Sequence, residues 1–160
     1  MTPSPAQQPS STDQIRKEVV LQAPLSRVWR ALTDSKEFGA WFRMEFKEPF
    51  RAGKPITGRV TYPGYEHIVG TFEIETIEPE TRFTYRWHPY AVDPKVDYSK
   101  EPTTLVEFTL AEVAGGTKLT VVESGFDAIP AARRATAFKM NGDGWAIQVG
   151  NIAEYLRSRA

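Results

Sequence analysis

The sequence contains no cysteine and only two histidines among its 160 residues. The absence of cysteine excludes disulfide bonds, thiolate nucleophiles and cysteine-ligated metal sites, and it is consistent with a reducing cytoplasm. Two histidines, with no cluster of carboxylates beside them, do not supply the ligands of a structural zinc site. We therefore predict a cytoplasmic protein without a bound metal or cofactor.

The sequence also lacks an excess of charge of either sign, because twenty basic residues balance twenty acidic ones. A balanced charge provides no overall field to attract nucleic acid or an anionic membrane. No apolar run approaches the roughly 20 residues of a membrane span. Neither a glycine-rich phosphate loop nor a nucleophile-elbow serine is present. Nucleic-acid binding, a membrane span, nucleotide binding and covalent hydrolysis are therefore not indicated.

The first residues, MTPSPAQQPSST, have neither the basic start nor the apolar stretch of a signal peptide. Their proline, serine, glutamine and threonine content is typical of disorder. We therefore predict a disordered tail over residues 1–12. The rest of the chain contains no internal repeat and no second boundary, which predicts a single domain over residues 13–160.

Short apolar runs separated by turn residues predict an antiparallel sheet of about six strands. These runs cover residues 15–23, 56–62, 68–77, 82–87, 105–110 and 118–124. Two short helical patterns follow the first run, and a long one covers about 130–159. Because the helices are segregated from the strands, the predicted class is α+β.

The long C-terminal helix combines an apolar stripe with three glycines. Its stripe consists of Phe138, Trp145, Val149, Ile152 and Leu156. Each of the glycines, at positions 142, 144 and 150, costs roughly 1 kcal/mol relative to alanine. Glycine beside a large aromatic residue suggests a close backbone approach, a bend, or space left beside the helix. This pattern favours a helix gripped by the sheet, with a ligand cavity between them.

Glu123 is the residue that departs from the pattern of the last strand. Strict alternation places it on the same face as Leu119 and Val121, toward the predicted helix. A carboxylate in an apolar cleft has a raised pKa, and it can exchange a proton or hydrogen-bond a ligand. The alternatives are that Glu123 pairs with an arginine or lies in water at the open end of the sheet.

Several segments together resemble the START-like (SRPBCC) superfamily. They are APLSRVWRALTD (23–34), AWF (40–42), GTFEIETIEPETRFTYRW (70–87), VEFTLAEVAGGTKLTVVESGF (106–126) and NGDGWAIQVGNIAEYL (141–156). More narrowly, they are similar to homologues of the C-terminal domain of the heat-shock-protein-90 ATPase activator, which are grouped with polyketide cyclase/dehydrase-like proteins. The resemblance implies the helix-grip fold, a curved antiparallel sheet wrapped around a long C-terminal helix with an apolar cavity between. Members of the superfamily include binders of lipids and aromatic metabolites, cyclases, hydrolases and chaperone-associated modules.

We predict a monomer or homodimer that binds a small apolar or aromatic molecule in this cavity, with Glu123 as the polar anchor. The other predicted lining residues are Phe72, Tyr85, Trp87, Phe108, Leu119, Val121, Trp145 and Val149. One alternative is a cyclase or hydrolase acting on an aromatic or polyketide-like substrate, with Glu123 or His88 as general acid or base. The other is a chaperone-associated regulatory module that contacts its chaperone, as the resemblance implies.

The surroundings of the predicted cavity leave three further questions. His67 falls on the polar face of its strand and is expected in solvent. The segment 88–103 is either a lid over the cavity or a disordered surface loop. Arg133 and Arg134, at the start of the last helix, are either a solvated pair or an anion-binding cluster.

Overall fold

The structure, a computed structural model, describes residues 12–159. The predicted disordered tail therefore lies outside the described residues except for Thr12. Along the chain the elements are β1 (Gln14–Leu21), α1 (Leu25–Thr33), α2 (Ser35–Phe42), β2 (Met44–Phe46), β3 (Pro55–Val60), β4 (Val69–Glu78), β5 (Arg82–Trp87), β6 (Thr104–Val113), β7 (Gly116–Ser124), a short 3-10 turn (Phe126–Ala128) and α3 (Ala131–Ser158).

The strands form one antiparallel sheet of seven strands in the order β1-β7-β6-β5-β4-β3-β2. The predicted α+β helix-grip architecture is confirmed, with two short helices after β1 and a long helix at the C-terminus. The additional strand is β2, whose three residues are too few to show an alternating pattern. In β4 the register with β5 shifts between Ile74 and Thr76, a bulge that the alternation of the sequence did not predict.

A side-chain cap defines the start of helix α2, and a left-handed residue defines its end. The side chain of Asp34 caps its start by accepting hydrogen bonds from the backbone N–H groups of Lys36 (2.9 Å) and Glu37 (3.1 Å). Arg43 ends it in the left-handed conformation, with φ at 67°, and so redirects the chain into β2. A Cβ at Gly39 would lie 2.1 Å from the carbonyl oxygen of Met44. Only glycine therefore lets β2 fold back so closely against α2.

The ring of Phe38, from α2, lies at the centre of the core. It is fully buried, and eight other aromatic rings have their centroids within 6.4 Å of its own. These rings belong to Trp41, Phe42, Phe46, Phe50, Phe72, Phe83, Tyr85 and Phe108. Helix α2 thereby contributes to the core beside α3, which packs against β1 and α2.

The glycines of α3 do not mark a close backbone approach. A Cβ at Gly142 would first meet Ile15 Cδ1, at an ordinary 4.0 Å, and one at Gly144 or Gly150 would meet nothing within 4 Å. The open space beside Gly150 faces solvent, because this glycine is exposed, whereas Gly144 is half-buried.

Replacement of Gly150 by alanine is expected to stabilise the protein by about 0.5–1 kcal/mol. Gly150 is exposed within a helix, and the added methyl group meets no neighbour. Urea denaturation of both proteins measures the difference. Gly39→Ala is the control with the opposite expected result: it should destabilise the protein, because its methyl group would clash with the carbonyl oxygen of Met44. A Gly150→Ala protein no more stable than the parent would contradict this account of the helix.

Candidate functional site

Glu123 is completely buried, with 0% of its surface exposed. It lies in β7, between Ile15 of β1 and Val106 of β6. Burial confirms its predicted inward orientation. Both expected alternatives are wrong, because the carboxylate is not in water and forms no ion pair with any residue of the described range 12–159.

Four neutral donors surround the carboxylate of Glu123. Its Oε2 atom accepts hydrogen bonds from Trp87 Nε1 (2.7 Å) and Thr104 Oγ1 (2.6 Å), which face each other across β5 and β6. Its Oε1 atom accepts from Trp145 Nε1 (2.8 Å) and Asn141 Nδ2 (2.9 Å), both on α3. One carboxylate therefore joins three strands of the sheet to the C-terminal helix.

The electrostatic environment of Glu123 differs from that of the other shielded carboxylates. Burial raises the pKa of Glu123, while the hydrogen bonds from Thr104, Trp145, Trp87 and Asn141 act in the opposite direction. Three half-buried glutamates each pair with arginine: Glu37 with Arg27 and Arg30, Glu101 with Arg133, and Glu107 with Arg82. The half-buried Asp13 accepts hydrogen bonds from backbone N–H groups instead. The fully buried carboxylate of Glu123 has no countercharge.

Tyr85 adds a second unusual polar group to the same region. Its hydroxyl is fully buried and has no hydrogen-bond partner among residues 12–159. Burial raises the pKa of this phenol, and so does the charge of Glu123. An unpaired buried hydroxyl costs about 1–3 kcal/mol. Within one region of the core the fold therefore holds both an uncompensated carboxylate and an unpaired hydroxyl.

Aromatic rings fill the volume beside these polar groups. The centroids of Phe42, Trp87 and Trp145 form a triangle with sides of 5.9–6.0 Å. Phe72 lies 5.3 Å from Trp87, and Phe108 lies 5.7 Å from Trp145. These rings occupy the space that the resemblance assigns to an apolar cavity. Trp87, which is half-buried, connects the cluster to the surface.

The remaining predicted lining residues belong to the same interior. Leu119 and Val121 are buried on the face of β7 that carries Glu123, and Val149 is partly buried on α3. Sequence reasoning missed three members of the site: Phe42, Thr104 and Asn141. Of these, only Asn141 has a sequence signal, since it precedes Trp145 by four residues and so shares its helical face.

His88 lies outside the hydrogen-bond network of Glu123. Its Nε2 atom is 3.1 Å from the carbonyl oxygen of Glu101, so it contacts the other end of the segment 88–103. The second histidine, His67, is exposed as predicted. Of the two candidates for acid–base chemistry, only Glu123 faces the interior.

Arg133 attaches the segment 88–103 to the start of α3. Its Nε atom donates to Glu101 Oε1 (2.8 Å), its Nη1 atom donates to the carbonyl oxygen of Pro89 (2.8 Å), and its guanidinium lies 4.7 Å from the ring centre of Tyr98. Arg134 donates to the carbonyl oxygen of Ile129. The expectation of a solvated arginine pair is wrong, because both side chains bind the protein itself.

Two open grooves lie on the surface, away from Glu123. One, of about 600 Å³, is lined by residues 33–36 and 47–49, and the other, of about 510 Å³, runs along β3. No cluster of side chains suited to a metal occurs within residues 12–159. No helix in that range is both long and apolar enough to cross a membrane.

Comparison with known proteins adds independent information. Residues 22–157 match the family described as Activator of Hsp90 ATPase homolog 1-like protein. No curated protein matches the chain significantly.

Three solved structures illustrate the likeness of the fold. DynU16, from the dynemicin biosynthetic locus, is 28% identical with a TM-score of 0.69, over 91% of this chain and 47% of that one. Protein MLL2253 from Mesorhizobium loti is 22% identical (TM-score 0.72), over 92% of this chain and 98% of that one. The Aha1 dimer from Colwellia psychrerythraea is 15% identical (TM-score 0.65), over 88% of this chain and 93% of that one. This chain spans about half the length of DynU16, and the other two likenesses concern the fold alone.

Proposed function

Because this chain belongs to the Activator of Hsp90 ATPase homolog 1-like family, within the START-like superfamily, we propose that it binds a small apolar or aromatic molecule beside Glu123. The ligand lies against the rings of Trp87 and Trp145, and Glu123 anchors its polar end. Tyr85 supplies a hydroxyl group to the same end. The other predicted lining residues complete the apolar walls.

One observation carries this proposal: the buried carboxylate of Glu123 is held only by neutral donors. Burying an ionised carboxylate without a countercharge costs free energy, and a well-packed apolar core at this position would avoid that cost. Residues that break the rules of core composition in this way cluster at functional sites. The unpaired hydroxyl of Tyr85 supports the same conclusion, because a ligand atom can provide its missing partner.

Ligand entry requires movement at the half-buried edge of the aromatic cluster. Trp87 is the last residue of β5 and directly precedes the segment 88–103, so displacement of that segment releases the ring. Asn141 is also half-buried, and its amide contacts both oxygens of Glu123, at 2.9 and 3.1 Å. Rotation of Asn141 frees a carboxylate oxygen for the ligand without disturbing a strand.

Binding is favoured over acid–base turnover by the arrangement of the donors. Four neutral donors make five hydrogen bonds to the two oxygens of Glu123, and three of these donors stay in place when Asn141 rotates, so the group remains an acceptor. General acid–base catalysis needs a group that is free to exchange its proton with the substrate. His88, the other candidate, binds the carbonyl oxygen of Glu101 and does not contact Glu123.

The proposal is tested by titrating a library of aromatic compounds while following tryptophan fluorescence. We expect compounds that perturb the emission to bind at least about tenfold more weakly to Glu123→Gln, the equivalent of about 1.4 kcal/mol. Glu37→Gln is the matched control, since it alters a shielded carboxylate that pairs with arginine elsewhere. A library without binders, or binders indifferent to Glu123→Gln, would reject the proposal.

A second pair of variants keeps the test valid if Glu123→Gln does not fold. Gly144 lies three residues after Asn141 and four before Gln148, so it shares a helical side with two residues that contact the interior. The space beside it is open. Gly144→Leu is expected to weaken binding about tenfold, whereas Gly150→Leu, at the exposed glycine, leaves binding unchanged.

A further inference from the structure

No cationic side chain compensates the carboxylate of Glu123 when it is ionised. No lysine, arginine or histidine of residues 12–159 forms an ion pair with this carboxylate, although the half-buried glutamates Glu37, Glu101 and Glu107 each have an arginine partner. The hydrogen bonds to Glu123 come from neutral indole, hydroxyl and amide groups. They satisfy its lone pairs and leave its net charge in place.

The groups beside the carboxylate suit a positive charge. The carboxylate of Glu123 itself attracts a cation, and the attraction is strong in an interior from which water is excluded. Trp87 and Trp145 present their N–H edges to this carboxylate, and together with Phe42 their rings form apolar walls beside it. The Tyr85 hydroxyl oxygen has unused lone pairs that can accept a hydrogen bond from an N–H group.

An anionic ligand does not fit this environment. A second carboxylate or a phosphate would face Glu123 without an intervening cation, and like charges in a low-dielectric interior repel strongly. Arg133, at the start of α3, is already engaged by Glu101 and by the backbone of Pro89. A neutral ligand is tolerated, but it leaves the charge of Glu123 uncompensated.

From these contacts we infer that the ligand is an amphiphilic amine: an apolar or aromatic body that carries one protonated nitrogen. The nitrogen replaces Asn141 at a carboxylate oxygen of Glu123 and donates a second hydrogen bond to the Tyr85 hydroxyl. The body of the ligand packs against the rings of Trp87 and Trp145. This inference rests on the proposed function and specifies the ligand class that the same site selects.

The test compares three probes that share an apolar body and differ in charge: 4-phenylbutylamine, 4-phenyl-1-butanol and 4-phenylbutanoate. Binding is followed at neutral pH by tryptophan fluorescence and calorimetry. The amine is expected to bind about tenfold or more tightly than the alcohol, and the carboxylate to bind most weakly. We expect Glu123→Gln to bind the amine and the alcohol with similar affinity. Glu37→Gln should still bind the amine more tightly than the alcohol.

The comparison in the unaltered protein is decisive even if Glu123→Gln does not fold. Tyr85→Phe provides a second variant, because it removes the unpaired hydroxyl and leaves a ring of the same shape; it is expected to weaken binding of the amine about threefold. If the alcohol binds as tightly as the amine, the charge inference is overturned and the proposed function stands. If neither these probes nor the aromatic library bind, the proposed function itself is rejected.

Discussion

Replacement of Glu123 by leucine is expected to lower the free energy of unfolding by about 4 kcal/mol or more. Leucine has a similar volume but accepts no hydrogen bond, so the N–H groups of Trp87, Trp145 and Asn141 and the hydroxyl of Thr104 lose their shared acceptor. Each buried donor left without a partner costs about 1–3 kcal/mol. The contact between the sheet and the N-terminal half of α3 is weakened at the same time.

Urea denaturation of the two proteins measures this loss. Glu37→Leu is the control, because Glu37 also holds three groups, Arg27, Arg30 and Tyr155, but nearer the surface, where the freed groups regain water. Glu37→Leu should therefore lose clearly less free energy of unfolding than Glu123→Leu. Equal losses for the two variants would show that the buried network contributes no more than a surface one.

The ionisation of Glu123 is expected to affect how the free energy of unfolding depends on pH. Because burial raises the pKa of Glu123 in the folded protein, its ionisation opposes folding. The penalty is complete above the folded pKa and disappears below the unfolded one, near 4.5. Glu37, whose pKa is lowered, contributes in the opposite sense. Glu123→Gln should therefore remove a component of stability that, in the parent protein, increases as the pH falls.

Local pattern was sufficient to predict the architecture and the inward direction of Glu123. In the last strand, alternation from Leu119 through Val121 places the carboxylate inside, and no bulge interrupts this stretch of β7. The fold was predictable because each strand is short, half-buried and bounded by turn residues. Strand β2 was not, since its three residues depend on the close approach allowed by Gly39.

The partners of Glu123 could not be predicted because they are fixed by register rather than by sequence distance. Thr104 follows a 16-residue connection, so its position opposite Trp87 depends on how β5 and β6 pair. Phe42 reaches Trp87 and Trp145 only because α2 folds beneath the sheet. An expectation of arginine pairing was reasonable for a buried carboxylate, yet the chain uses its arginines on the more exposed acids.

The aromatic core that supports this site leads to the second large effect. Phe38→Ala is expected to destabilise the protein by about 3–5 kcal/mol, the range for removing a buried phenylalanine ring. Phe38 contacts eight rings from α2, the connection to β3 and four strands. A residue in contact with so many rigid neighbours leaves a cavity that cannot collapse easily.

Phe138→Ala is the matched control for Phe38→Ala. Phe138 is partly exposed and its ring meets only that of Phe126 among the described aromatic contacts, so its loss should be markedly smaller. Thermal and urea denaturation of both variants compare the two positions. Similar losses would mean that the core around α2 relaxes freely after truncation. A clearly larger loss for Phe38→Ala would mean that α2 forms a rigid support beneath the aromatic rings around Glu123.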